Sequence, residues 1–273
     1  MNMNFEQPYQ VILEPKDTFN IILVGCGGTG GYIAETTARM AWDLKQTGKN
    51  LNAIFVDHDS VEEKNIGRQR FTRAELGLNK AVCLANRYNL AFGLNISAVE
   101  RPFHADLINK LSLRLLPHNS LIIGAVDNAE ARQQIANAIE EKNGRLWALD
   151  AGNALHNGNV YIGNITQMSQ LNLNDDMKLA SGFPSPYIQN PALLKSEKKK
   201  KRKKESCAVL IQRREQSLVI NQQMGSLLAR YLECWLLERK LEFMHTAVSL
   251  EIPSMNTTMA TKTELINVWK PLL

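Results

Sequence analysis

A chain of 273 residues, 44% hydrophobic and 22% charged, has the balance of an ordinary globular protein and excludes a disordered or fibrous one. Its net charge of +5 suggests nucleic acid only until the seven basic residues of Lys198 to Lys204 (KKKKRKK) are set aside. Taking those seven charges from +5 leaves −2, so the basic balance reports one segment and not a basic face. No apolar run approaches the roughly 18 residues that cross a bilayer. The N-terminal MNMNFEQPYQ has no basic region leading into an apolar stretch, so no secretory signal is visible. A cytoplasmic protein is expected, with neither a membrane nor nucleic acid among its partners.

Strand and helix signals alternate through the first half, which predicts βαβ units and a mainly parallel sheet. Residues 20–25 (NIILVG) form a short apolar run closed by Gly, as a strand buried on both faces should. Residues 29–44 read as a helix whose Gly30, Gly31, Ala34 and Ala38 allow close approach to that sheet. A second strand is predicted over 52–56, a helix over 80–92 and a strand over 96–102. Another buried strand (SLIIGAV, 120–126) leads into a helix over 129–142. Strands over 146–151 (LWALDA) and 159–163 (NVYIG), with a turn at Asn157-Gly158, predict an antiparallel extension at the sheet edge. Periodicity then disappears from about 168 to 205, a stretch holding Pro184, Pro186 and Pro191, which reads as a long loop. It returns in a helix over 217–241, followed by an alternating strand over 245–252. The expected fold is thus a Rossmann-like, doubly wound α/β sheet. Its core spans 1–165, a crossover loop with a basic tip spans 166–206, and 207–273 completes the same domain.

The chemistry concentrates between residues 25 and 80. Gly25, Gly27, Gly28, Thr29 and Gly30 sit in a GCGGTGG loop between strand and helix. Missing Cβ atoms there let the backbone approach a phosphate, and the helix N-terminus attracts its charge. Dinucleotide-binding enzymes share that loop, and Asp57 at the end of the second strand suits a ribose hydroxyl in either case. Asp59, Asn65, Arg68 and Gln69 follow, and Lys80 lies twelve residues beyond Arg68. A nicotinamide enzyme has no need of these cations, whereas attack on the α-phosphate of ATP does.

At this point the sequence resembles the ThiF, MoeB and ubiquitin-activating-enzyme superfamily of ATP-dependent adenylating enzymes. The matching strings are GCGGTGG, VDHDSVEEKNIGRQRF, GLNK, AVDNAEAR and LDAGN, and the resemblance covers roughly residues 20 to 240. It implies that Asp57 holds the ribose, that Asn65, Arg68 and Lys80 face the triphosphate, and that Asp127 is a Mg²⁺-associated carboxylate. Mg²⁺ prefers carboxylate and phosphate oxygens, although a strand-end Asp before a helix also serves as a cap. Within the superfamily the likeness is to PRTRC-system ThiF proteins, through LDAGN, GNVYIG and the Cys-led segment 206–232. The implied reaction is ATP-dependent adenylation of the C-terminal carboxylate of a small ubiquitin-like or sulfur-carrier protein by a homodimer. A non-catalytic nucleotide-binding scaffold and an NAD-dependent oxidoreductase are the rival readings.

Cys207 follows the basic run, where activating enzymes present a thiol, and neighbouring cations would favour its thiolate; it is otherwise a spectator. Cys26, Cys83 and Cys234 read as small apolar fillers. The sequence departs from the family in two places. Paired CxxC motifs are missing, so zinc is not expected. The N-terminal Arg that the family brings to the nucleotide is also missing, and Arg70 and Arg73 are the candidates to replace it. The lysine run reads as a solvated loop tip or as a guide for an acidic protein substrate.

Overall fold

The structure is a computed structural model that describes residues 6–111, 119–195 and 218–270. Cys207 and Lys198 to Lys204 lie outside the described residues. A two-residue strand, β1 (Val11–Ile12), precedes β2 (Thr18–Val24), helix α1 (Gly28–Gln46) and β3 (Asn50–Val56). Helix α2 (Lys80–Phe92) and β4 (Ser97–Val99) complete the first half-sheet. The second comprises α3 (Asp106–Leu111), β5 (Ser120–Gly124), α4 (Ala129–Glu141) and the antiparallel pair β6 (Leu146–Asn153) and β7 (Asn157–Gly163).

One sheet of eight strands results, once the C-terminal strands β11 (Phe243–Ser249) and β12 (Ser254–Met259) are included; its order is β12-β11-β7-β6-β5-β2-β3-β4. From β6 to β4 all pairings are parallel, and from β6 to β12 all are antiparallel. This is the doubly wound sheet with an antiparallel extension that the alternation of elements predicts. Period-two alternation divides its side chains between two cores. Ile21, Leu23, Leu121, Ile123, Trp147 and Leu149 face the first, and Ile22, Val24, Ile122, Leu146 and Ala148 the second. Helix α6 (Leu218–Glu233) packs on the first face through Ile220, Met224, Leu228 and Tyr231, while α4 covers the second through Ile135, Ala138 and Ile139. Each Leu, Ile, Val or Met among them taken out of water contributes about 1.5–3 kcal/mol.

Four details differ from the sequence-based expectations. The hairpin does not turn at Asn157-Gly158; both residues lie in β7, Gly158 pairs with Asn153, and the chain reverses over 154–156. The stretch expected to be a loop holds a small hairpin, β8 (Leu173–Asn174) with β9 (Leu179–Ala180), and a short helix α5 (Pro186–Gln189). Helix α6 ends in a five-residue π turn, Cys234–Glu238, and Arg239 (φ 56°) adopts the left-handed conformation that stops it, so β10 (Lys240–Leu241) can pair with β1. The C-terminus, for which no pattern is predicted, forms β12 and helix α7 (Lys262–Asn267).

The segment before α5 is seated on the sheet by a close backbone approach. Ser185 N–H donates to Ile165 O at 2.7 Å, and a Cβ on Gly163 would lie 1.9 Å from Pro184 O. Overpacking of this kind costs roughly 1–3 kcal/mol. Gly163→Ala is therefore expected to lower the urea midpoint without changing the m-value, followed by circular dichroism. An unchanged midpoint would show that the segment is not seated there.

Candidate functional site

At the carboxyl ends of β2, β3 and β5 the chain leaves a cavity of about 910 Å³, lined by Gly25, Gly27, Gly28, Thr29, Asp57, Lys80 and Asp127, among other residues. The glycine loop forms its floor because two positions there admit no side chain. Gly25 holds φ at +91°, with a virtual Cβ 2.5 Å from Ala125 O, and a Cβ on Gly30 would sit 2.0 Å from Gly25 O. Helix α1, 19 residues long, starts from Gly27 with no side-chain cap. The cavity thus receives a helix N-terminus whose N–H groups suit an anion.

The loop after β3 is tied to this floor through Asp57. One carboxylate oxygen accepts the Cys26 N–H at 2.6 Å and the other the Asp59 N–H at 2.9 Å. Burial pushes the Asp57 carboxyl above its ordinary range despite these donors and the nearby Lys80 charge. Asn79 extends the tie. Its Nδ2 donates to the Asp57 and Asp59 carbonyls at 2.8 and 3.2 Å, and its Oδ1 caps α2 by accepting the Val82 N–H. Lys80, at the first position of α2, is buried to 6% side-chain exposure and pairs with Asp59 at 2.8 Å. An Asp57, His58 and Asp59 cluster has its ligand atoms within 4.8 Å of one another, but Lys80 and the loop N–H groups already hold the two carboxylates.

Asn65 has a different place from the one the resemblance implies. It is buried, does not line the cavity, and its Oδ1 caps a 3₁₀ turn by accepting the Glu62 N–H at 2.8 Å. Its carbonyl accepts the N–H groups of Arg68 and Gln69, and those two residues do line the cavity. Gln69 Nε2 is 3.6 Å from a virtual Cβ on Gly27, and its Oε1 is buried without a partner. The suggested substitutes for the N-terminal Arg do not reach the site. Arg70 pairs with Glu35 at 2.6 Å and stacks on Tyr32, and Arg73 pairs with Glu63. Arg101 after β4 lines the cavity instead, a residue that no local spacing singles out.

On the far wall, Asn128 and not Asp127 caps α4, accepting the Ala131 N–H at 2.8 Å. Asp127 is exposed and lines the cavity, which leaves its carboxylate available for a cation. Arg132 behind it is fixed by Asp150 at 3.2 Å and by the Val126 carbonyl at 2.7 Å, and Tyr187 donates to Asp150 at 3.2 Å. A second polar cluster joins the glycine loop to α6. Thr29 Oγ1 donates to Asn153 Oδ1 at 3.3 Å, and Asn153 Nδ2 to Asn221 Oδ1 at 3.1 Å. Asn221 is absent from the motif reading because its position is set by α6 packing. A Cβ on Gly28 would lie 2.5 Å from its Nδ2.

Comparison with known proteins places this geometry. The ThiF family model matches residues 13–266, and the chain belongs to the ThiF family. It is 31% identical over 136 residues to "ATP-dependent ubiquitin transferase-like protein Cap2" of Vibrio cholerae, covering 46% of this chain and 23% of that protein. It is 31% identical over 139 residues to ubiquitin-like modifier-activating enzyme 5 of Xenopus laevis, covering 48% and 33%. The matches thus span a quarter to a third of the relatives' lengths. Among solved structures, Escherichia coli MccB crystallised with AMPCPP and MccA superposes with a TM-score of 0.58 at 12% identity, over 89% of this chain and 64% of that one. PaaA gives a TM-score of 0.54 at 17% identity, over the same shares. These likenesses establish a shared fold. Among the described residues, no helix is long and apolar enough to cross a membrane.

The Asp59–Lys80 pair makes a pH-dependent contribution. Burial raises the Asp59 carboxyl, but the hydrogen bond and charge of Lys80, with smaller help from His58 and Lys64, outweigh it and hold it below its ordinary range. A depressed carboxyl stabilises the fold fully above its unfolded value of about 3.9 and loses that contribution as pH falls through the folded value. The stability difference between the wild type and Lys80→Ala should therefore narrow below about pH 4 in urea titrations. A difference independent of pH would show that the pair is uncoupled.

Proposed function

We propose that this chain is an ATP-dependent adenylyltransferase that activates the C-terminal carboxylate of a small ubiquitin-like or sulfur-carrier protein. The observation that carries the reading is the convergence of Lys80, Arg68, Gln69 and Arg101 on a cavity floored by an uncapped helix N-terminus. That donor set suits a triphosphate. In the proposed step a carboxylate oxygen attacks the α-phosphorus and the bond from that phosphorus to the β-phosphate bridging oxygen breaks. Pyrophosphate leaves with the electron pair and an acyl adenylate remains.

The chain's own contribution is positioning and charge stabilisation. Asp57, held by two loop N–H groups, presents a fixed carboxylate to a ribose hydroxyl. Lys80, partly desolvated, and Arg68, anchored by Nε on the Lys64 carbonyl at 3.1 Å, meet the growing phosphate charge. Asn65 acts through the 3₁₀ turn that sets Arg68 and Gln69. The exposed carboxylate of Asp127 fits Mg²⁺ by its donor type and would hold the ion that screens the phosphates when bound. Membership of the PRTRC-system group, a homodimer, a cytoplasmic location and a role for Cys207 as thiol nucleophile belong to the same proposal. The first is supported by the LDAGN and GNVYIG strings, which form β6 and β7.

Pyrophosphate exchange, measured with small ubiquitin-like proteins ending in a free Gly-Gly carboxylate, tests the reading. Lys80→Ala and Arg68→Ala should each lower exchange on the order of 10²-fold, and for Arg68→Ala the urea midpoint should stay near the wild-type value. Full exchange in both variants would sink the assignment. ATP binding without exchange in the wild type, against every such carrier, would favour the scaffold reading.

A further inference from the structure

The antiparallel end of the sheet carries a side-chain relay that leads into the cavity. His245 of β11 stacks on Tyr161 of β7, with ring centroids 4.3 Å apart and 12° between planes. Its Nε2 lies 3.0 Å from Asn159 Oδ1 and its Nδ1 lies 3.2 Å from Thr258 Oγ1. Burial pushes the imidazole below its ordinary range, which favours the neutral ring. A neutral ring that donates from Nε2 to Asn159 accepts the Thr258 hydroxyl at Nδ1, so both contacts are satisfied at once. Asn159 lines the cavity. With its Oδ1 occupied, its Nδ2 has no partner among the described residues.

The wall around Asn159 differs in character from the rest of the cavity. Ala151, Gly152, Asn153, Ala154, Asn157 and Asn159 line it, and none carries a charge. Arg132 reaches the Ala151 carbonyl there at 3.4 Å, but Asp150 pairs with its guanidinium; the other cations come from the connections after β3 and β4. Uncharged amides beside small residues suit a narrow peptide main chain, whose N–H and C=O groups they match, better than they suit phosphate.

We propose that His245 is a positioning residue for recognition of the acyl substrate. By holding Asn159 Oδ1, it turns Asn159 Nδ2 toward the cavity, where that amide donates to a main-chain carbonyl oxygen of the substrate's C-terminal tail. This rests on the adenylation reading above and adds to it the residues that select the tail.

Two histidine replacements separate positioning from packing. His245→Gln keeps a donor where Nε2 stands, whereas His245→Asn keeps only the group nearest Nδ1. In pyrophosphate exchange driven by a Gly-Gly-terminated ubiquitin-like protein, Asn159→Ala and His245→Asn should raise the KM for that protein about five- to tenfold, the worth of one hydrogen bond. The KM for ATP should stay within about twofold, and His245→Gln should restore the carrier KM. An unmoved carrier KM in His245→Asn and Asn159→Ala, or equal changes in both KM values, would overturn this proposal alone. Absence of exchange in the wild type would overturn the adenylation reading and this proposal with it.

Discussion

The site depends on one carboxylate that takes two backbone N–H groups from two different loops. Asp57 stands at the end of β3, beside the glycine loop only because β2 and β3 pair in parallel register from Thr18↔Asn50 to Val24↔Val56. Its bonds to Cys26 and Asp59 join the glycine-loop floor to the segment that supplies Lys80. Burying that carboxylate carries a desolvation cost, visible in its raised titration range, and the two N–H donors offset it. The tie adds to the backbone bond from the Gly25 N–H to the Val56 carbonyl at 2.9 Å. With it, stretches separated by some thirty residues become one rigid surface.

Charge is divided across the cavity in a way that follows from the connections. Parallel strands put their loops at one end, so the segments after β2, β3, β4 and β5 all open on the same side. Of these, the ones after β3 and β4 bring Lys80, Arg68 and Arg101, and the one after β5 brings the Asp127 carboxylate. Where the sheet turns antiparallel at β6, the side chains become small or amide-bearing. The polyanion and the uncharged chain proposed above would thereby have adjoining places. Arg132 does not disturb this division, because Asp150 and the Val126 carbonyl hold its guanidinium at the wall.

The fold was largely legible where strands are buried on both faces and closed by Gly, because those constraints act locally: NIILVG and SLIIGAV became β2 and β5 nearly as read. The helix over 80–92 also matches, since Asn79 caps its start and Gly93 ends it at φ +61°. Legibility failed where burial does not impose a pattern. Strand β12, SMNTTM, is mostly exposed and pairs on one side only, so its sequence carries no alternation. Asn157-Gly158 has turn composition, yet tertiary pairing with β11 and β6 draws both residues into a strand. At the site, the glycine loop, Asp57, Arg68 and Lys80 could be found by spacing. Arg101, Asn159 and Asn221 could not, because only the sheet order and the packing of α6 bring them to the cavity. Arg70 and Arg73, the candidates to replace the N-terminal Arg, are claimed by Glu35 and Tyr32 and by Glu63.

The central claim is that this Asp57-linked cavity is built for ATP and not for a dinucleotide. Calorimetric titration of the full chain with ATP and, separately, with NAD tests it most directly. Saturable heat with ATP at one site per chain, and none with NAD, is the predicted result. Saturable NAD binding with no ATP heat would contradict the account.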